Sequence, residues 1–400
     1  MGCIGAIRFP MPWKVDDVVE QRYRFIVEWQ RGELDLAELC RQFQISRQTG
    51  YKWIERYEGN GLEGLQDRSR APHAHPNEVA GAVEDRIVGV RAKYPLWGAR
   101  KIRAYLEREG GMPPATSTIG EILKARGLTV ARKRRERRPR RSDPLMHAEG
   151  ANWVWCADFK GWFRTGDGRR CDPLTITDAY TRYLLRCQAV KAEDTLHAKP
   201  VFEAAFREYG LPARIRTDNG APFASNGDTG LSALAVWWIK LGIYPERIRP
   251  GKPQENGRHE RMHLTLQQAT ASPPAANWRQ QQQRFDRFRQ QYNHERPHEA
   301  LGMMAPGQIY EASGQPWPSR LPEMTYDPDW GVRRVGEGGR IRWQGGRVFV
   351  SHALEGETVG LKPIGEQAWE LYFSFYPLGV AEGKRSRLWT PEQWRSRQQE

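Results

Sequence analysis

The feature that most restricts the fold is a change of hydrophobic period near Asn152. Upstream, apolar residues recur at helical spacing; from "WVWCADFKGWF" onward they alternate. There Trp155, Ala157 and Phe159 alternate with Cys156, Asp158 and Lys160. "CDPLTITDAYTRYLL" and "RCQAVKA" extend the strand pattern, with turns at Gly166–Gly168 and around Ala179–Arg182. Next come a helix ending at Gly210, a short strand in "LPARIRT", an apolar helix in "LSALAVWWIKLG" and a short strand in "IYPERIRPG". Two helices close the region, the second placing Trp278, Phe285, Phe288 and Tyr292 on one face. Strands followed by alternating helices and strands predict a mixed five-stranded α/β sheet covered by helices.

Three carboxylates stand out within this pattern. Asp158 lies in an otherwise apolar strand, where a carboxylate is costly to bury unless paired or metal-bound. Asp218 falls where the strand "ARIRT" runs into the turn "DNGAPF", and open α/β sheets gather ligands at strand ends. Glu260 sits in the first turns of a helix, where the dipole favours an ionised carboxylate. Each has an ordinary reading as surface solvation, turn former or helix-start acid. The same stretch, "QENGRHERMH", also spells His259-Glu260-x-x-His263, the spacing of a zinc protease site on one helix face. Zinc would need a third ligand. The position of the metzincin third histidine is Ala269, and Glu295 has no supporting pattern.

The front of the chain is helical. "LDLAELCRQFQISRQTGYKWIERY" has a helix-turn-helix layout, with Asp35 and Glu38 placed for a capping box and Ser46 placed to cap the second helix. Trp53 and Ile54 then face the core, leaving Arg47, Gln48, Tyr51 and Lys52 outward, where such side chains reach base edges. Gly50 interrupts that helix at about 1 kcal/mol relative to Ala. A Gly/Pro-rich linker leads to a second helix-turn-helix-like unit, whose last helix opens with a Thr/Ser cap and closes at Gly127. "ARKRRERRPRR" carries eight basic residues, among them Arg132, Lys133, Arg134, Arg135, Arg137 and Arg138. A formal charge of +14 points to a polyanionic partner. Five scattered cysteines without a CxxC pair argue against a disulfide framework and fit a reducing cytoplasm. No apolar run is long enough for a membrane span. Towards the end, "GRIRWQGGRVFVS" reads as a hairpin across Gly345-Gly346, and further strands predict a small β-barrel.

"RTDNGAPF" and "RPGKPQENGRHERMH" resemble the DDE transposases of bacterial insertion sequences, whose core is similar to retroviral integrases and ribonuclease-H-like. "WCADFKGWF", "TDAYTRYLL" and "QYNHERPHEALGMMAPGQIY" resemble other parts of the same core. The resemblance implies a multidomain chain. It would comprise a helix-turn-helix DNA-binding domain (16–60), a linker (61–78), a second helix-turn-helix-like domain (79–130), a basic linker (131–148), an integrase catalytic core (149–312) and a small β-barrel (330–385). It places the acidic triad on Asp158, Asp218 and Glu260, and the family's two magnesium or manganese ions between them. Asp158 would bridge both ions, with Asp218 completing one and Glu260 the other. Two departures stand out. The 41 residues between Asp218 and Glu260 exceed the usual spacing, with the surplus assigned to "ASNGDTGLSALA". Gly50 replaces the β-branched residue expected in the recognition helix.

The implied activity is metal-dependent cleavage at element ends and strand transfer into target DNA, by a homo-oligomer on DNA located in the cytoplasm at the nucleoid. Lys252, Arg258 and Arg261 flank Glu260 and are expected to meet phosphate; His298 and Asp178 are secondary candidates. The alternatives are an inactive helix-turn-helix DNA-binding protein derived from a mobile element and, more remotely, the HExxH protease.

Overall fold

The computed structural model describes residues 18–68, 79–129, 148–225, 227, 229–249, 257–383 and 387–398. The chain divides into two units, Met1–Glu78 and Val79–Glu400.

In the first unit, α1 (Val18–Arg31), α2 (Leu36–Gln42) and α3 (Arg47–Asn60) close over Phe25, Ile26, Leu39, Cys40, Trp53 and Ile54. Ser46 caps α3, its Oγ accepting from Thr49 N at 3.1 Å. Asp35 holds the N-cap position of α2 but its side chain makes no cap bond, and Glu38 pairs with Arg41 at 2.6 Å, so the expected capping box does not form. Gly50 has a packing reason. A Cβ there would lie 2.6 Å from Cys40 Sγ and 3.2 Å from Phe25 Cζ, so α3 crosses α1 and α2 too closely for a side chain. Gly50→Ala should therefore destabilise this unit by about 1–2 kcal/mol despite its better helix propensity. Adding Cys40→Ala should recover most of the loss in thermal melts, and a melt unchanged by the single substitution would refute the packing argument.

The second unit begins with α4 (Gly81–Lys93), α5 (Ala99–Arg108) and α6 (Thr116–Ala125), packed around Ile87, Trp97, Ile102, Leu106 and Ile119. Ala115, not a Thr or Ser, occupies the N-cap of α6, because the helix already includes Thr116.

The central sheet follows. Its strands are β1 (Val154–Phe159), the two-residue β2 (Phe163–Arg164), β3 (Arg170–Asp178), β4 (Leu184–Val190), β5 (Arg214–Thr217) and β6 (Tyr244–Arg247). The order is β2-β3-β1-β5-β6, with β4 also paired to β3. β1 runs antiparallel to β3 and parallel to β5, and β5 is parallel to β6, so the sheet is mixed. It has one strand more than expected, the short β2 returning across the Gly166–Gly168 turn.

One face of this sheet, with Trp155, Ala157, Leu174 and Ile176, packs on α7 (Thr195–Tyr209) and α8 (Ala233–Lys240). The other packs Cys171, Leu184, Cys187 and Ala189 on α9 (Gly257–Thr270) and α10 (Trp278–Gln290). Alternation along β1 thus sends the apolar residues to one layer and Asp158 towards the other.

The C-terminal region does not close into the expected barrel. β7 (Gly331–Arg334), β10 (Thr358–Gly365), β11 (Ala368–Phe373) and β12 (Tyr376–Glu382) form an open four-stranded sheet; β8 (Arg340–Trp343) and β9 (Gly346–Phe349) form a separate hairpin. Closure would need a ladder between these sheets, and only isolated bridges such as Gly336–Arg340 and Phe349–Arg387 occur among the described residues. The hairpin turns at Gln344-Gly345, one residue earlier than expected, because both residues take positive φ (45° and 73°). A last helix, α11 (Pro391–Gln398), follows.

Candidate active site

The register of β1 and β5 sets the site. Val154 pairs with Arg214, Trp155 with Ile215 and Cys156 with Arg216. Continuing two residues brings Asp158 level with Asp218, at the carboxyl ends of two adjacent parallel strands. Antiparallel β3 lies on the other side of β1, so this is where the direction of pairing reverses. Gly220 N donates to Asp218 Oδ1 at 3.2 Å, and Asn219 Nδ2 donates to Ile248 O at 2.8 Å, tying the Asp218 turn to the end of β6. Glu260 is exposed in the first turn of α9.

The charges of the neighbouring carboxylates are felt at Asp158. Burial, then the charge of Asp218, and less strongly those of Glu260 and Glu193, push the Asp158 carboxyl up to about 7. Burial also raises Asp218, opposed by its bond from Gly220. A part-buried Asp158 that feels the charges of Asp218, Glu260 and Glu193 is a carboxylate whose repulsion a divalent cation would relieve.

His259 and His263 hold α9 against this spot, and neither needs a metal to do so. Both are buried. Thr175, which pairs with Asp158 across β1 and β3, places its Oγ1 2.6 Å from His259 Nε2 and 2.7 Å from His263 Nε2. The same hydroxyl donates to Asp158 O at 3.1 Å. Thr177 Oγ1 lies 3.0 Å from His259 Nδ1. One tautomer assignment satisfies these four contacts: both Nε2 atoms carry hydrogen and donate to Thr175, and Thr177 donates to His259 Nδ1. Burial lowers the two imidazoles to about 3 and about 2, which keeps them neutral.

Asp158, His259 and His263 offer ligand atoms within 4.8 Å of one another. The zinc reading would require His259 to give up one of its threonine contacts, since its Nε2 faces Thr175 and its Nδ1 faces Thr177. Instead the network links the backbone at Asp158 to the residues on either side of Glu260, fixing the spacing of the two carboxylates. Thr175 and Thr177 were not singled out from the sequence; their signal was two threonines on one strand face matching two histidines one helical turn apart.

Thr175→Val should leave two buried imidazole N–H groups unpaired, costing about 2 kcal/mol. It should also slow DNA strand cleavage about tenfold, whereas Thr175→Ser should restore both. Wild-type melting and cleavage in the valine variant would remove the positioning role.

The other predicted residues fall as follows. Arg47, Gln48, Tyr51 and Lys52 are all exposed on the first turns of α3. Arg261 is exposed on α9, and Arg258 lies in the same helix. Arg132, Lys133, Arg134, Arg135, Arg137, Arg138 and Lys252 lie outside the described residues. Asp178 is buried and accepts from Asn152 N, Thr181 N and Thr181 Oγ1, as a structural carboxylate does.

Known proteins match both the helical and the α/β parts of the chain. Residues 148–253 and 241–306 each match an integrase core domain, residues 49–123 a homeodomain-like domain and residues 21–73 a helix-turn-helix domain. The chain is 29% identical over 247 residues to the insertion element IS407 uncharacterized 31.7 kDa protein of Burkholderia multivorans, covering 59% of this chain and 82% of that one. Helix-turn-helix and integrase core domains in one chain, with this insertion-element relative, support an insertion-sequence transposase with an integrase-like core. The transposase is also 25% identical to the insertion element IS476 uncharacterized 39.2 kDa protein of Xanthomonas euvesicatoria, over 70% of this chain and 79% of that one. Among solved structures, the HTLV-2 integrase catalytic core in complex with magnesium matches 41% of the transposase and 100% of its own chain, at 15% identity and a TM-score of 0.33. The integrase core domain of the transposase supports a polynucleotidyl transferase. None of its described helices is long and apolar enough to cross a membrane.

Proposed function

We propose that the transposase cuts the 3′ ends of its element and joins them to target DNA, with Asp158, Asp218 and Glu260 as its metal-binding catalytic residues. The observation that carries this is the β1–β5 register, which levels Asp158 with Asp218 beneath the helix that bears Glu260. The donor set fits magnesium or manganese, which favour hard oxygen ligands and retain waters. Two such ions, when bound, would activate the attacking oxygen and neutralise the leaving one in an in-line displacement.

The protein supplies the rest. Asp158 and Asp218 are held by strand ends, and Glu260 by the His259–Thr175–His263 network. Neutral imidazoles add no competing positive charge beside the carboxylates. Exposed Arg47, Gln48, Tyr51 and Lys52 suit base and phosphate contacts in a major groove. Lys252, Arg258 and the basic linker suit the DNA backbone. Joining two element ends implies at least a dimer on DNA.

The test is direct. Full-length protein is incubated with magnesium and a duplex carrying the inverted repeats that flank its gene. The expected products are nicked and then joined strands; an intact duplex across divalent ions and protein concentrations would end the proposal.

A further inference from the structure

The second helical unit reaches the catalytic core through a cluster of positive charge. Tyr94 OH donates to Glu295 Oε2, Arg108 Nη2 donates to Glu295 O at 2.7 Å, and Lys93 Nζ lies 3.6 Å from Glu295. Arg100 pairs loosely with Glu299 at 3.8 Å. Beside these contacts, α9 turns one stripe towards the unit. Thr265, Gln268 and Ala269 line a cavity of about 280 Å³ together with Lys93–Trp97, Tyr292 and Arg296. Arg261 lies one helical turn before Thr265 on that stripe, next to Glu260 in sequence.

Here the charges of Arg296 and Arg261 are felt at Lys101. Lys101 of α5 is partly buried; burial first, then Arg296, and less strongly Arg261, lower its ammonium to about 8, partly opposed by Glu299. Burial lowers Arg296 as well. Among the described residues, none of Lys101, Arg261 and Arg296 makes a salt bridge within 4.0 Å, although ion pairs surround them. His298 Nε2, close enough to feel the charges of Arg296 and Lys101, is buried without a hydrogen-bond partner. Desolvating Lys101 and Arg296 among like charges is unfavourable unless an anion completes the site. Such an anion would favour a proton on Nε2, turning it into a fourth donor.

We propose that Lys101, Arg261 and Arg296 form a seat for one phosphodiester of DNA passing along α9, so that the second helical unit and the catalytic helix grip the same strand. The seat lies beside the carboxylate triad and shares no residue with it. It deepens the transposase reading and rests on it for the identity of the anion, while its test does not depend on strand cleavage.

The full chain is titrated in EDTA against a labelled duplex of about 40 base pairs, over about 50–200 mM KCl. Lys101→Met and Arg296→Met, which keep the apolar stem, should each weaken binding about tenfold, one charged contact's worth. Each should flatten the slope of log affinity against log salt by about 0.9. Lys101→Arg should keep the wild-type slope. In DNA-free buffer Lys101→Met should melt no lower than wild type, because it relieves repulsion. An unchanged slope in a folded Lys101→Met variant overturns the seat, and a lowered melting temperature with wild-type binding makes the cluster purely structural. Magnesium-dependent cleavage is assayed separately: a wild type that binds but never cuts counts against the transposase reading and leaves the slope comparison intact.

Discussion

Asp158→Asn is expected to abolish strand cleavage and joining, by roughly a thousandfold or more, equivalent to about 4 kcal/mol of barrier. Binding to duplex DNA should change little, because the helix-turn-helix surface is untouched. The variant should also be more stable than wild type in metal-free buffer at pH 8. The Asp158 carboxyl is pushed from 3.8 up to about 7 when folded, by burial and then by Asp218. A group bound more tightly to its proton in the folded state lends stability at low pH, and that stability is lost as pH rises through about 4 to about 7. At pH 8 the ionised form is therefore a cost, which asparagine removes; with the side chain 19% exposed, the gain is on the order of 2 kcal/mol. At pH 4 the gain should vanish. Melting curves at both pH values, with a cleavage assay alongside, separate catalysis from folding. Wild-type cutting by this variant would remove Asp158 from the mechanism, and equal melting at both pH values would remove the electrostatic argument.

Asp178→Ala is expected to cost stability instead, by about 4 kcal/mol. Asp178 is 1% exposed and accepts three hydrogen bonds, from Asn152 N at 2.8 Å and from Thr181 N and Thr181 Oγ1 at 2.7 Å each. Alanine would strand three buried donors, each worth about 1–3 kcal/mol. The damage should spread, because Asn152 in turn receives Trp155 Nε1 and Tyr310 OH and donates to Glu311 O. The carboxylate joins the start of β1 to the β3–β4 turn and, through Asn152, to the segment after the core helices. Near-UV circular dichroism during heating, which Trp155 should dominate locally, is the suitable measurement. A midpoint within about 1 °C of wild type would show that the turn tolerates unpaired donors. The two aspartates thus part company: one is costly where it stands and proposed for chemistry, the other holds the sheet together.

Where the candidate residues lie on their strands and helix was legible from sequence because each part has a local signature. Alternation in "WVWCADFKGWF" put Asp158 on the opposite face from Trp155 and Ala157, and the sheet packs that way. The turn after "ARIRT" located Asp218 at a strand end, where β5 stops at Thr217. Other features were misread because their causes lie elsewhere in the chain. Gly50 looked like a flaw in a helix until Cys40 and Phe25 were seen against it. The strands after Gly331 looked sufficient for a barrel, but pattern gives the faces of strands and not whether the first and last of them pair. The HExxH spelling was locally sound for zinc, and two threonines on β3 give those histidines another role.

By itself the sequence determined which residues lie on which face of each element and where strands end, since periodicity and turn chemistry are properties of neighbours along the chain. Only the tertiary structure decided that Asp158 stands level with Asp218, that Thr175 occupies both histidines, and that Lys101 feels the charges of Arg261 and Arg296. Those facts depend on strand register and helix docking, which are set by the packing of segments far apart in the chain.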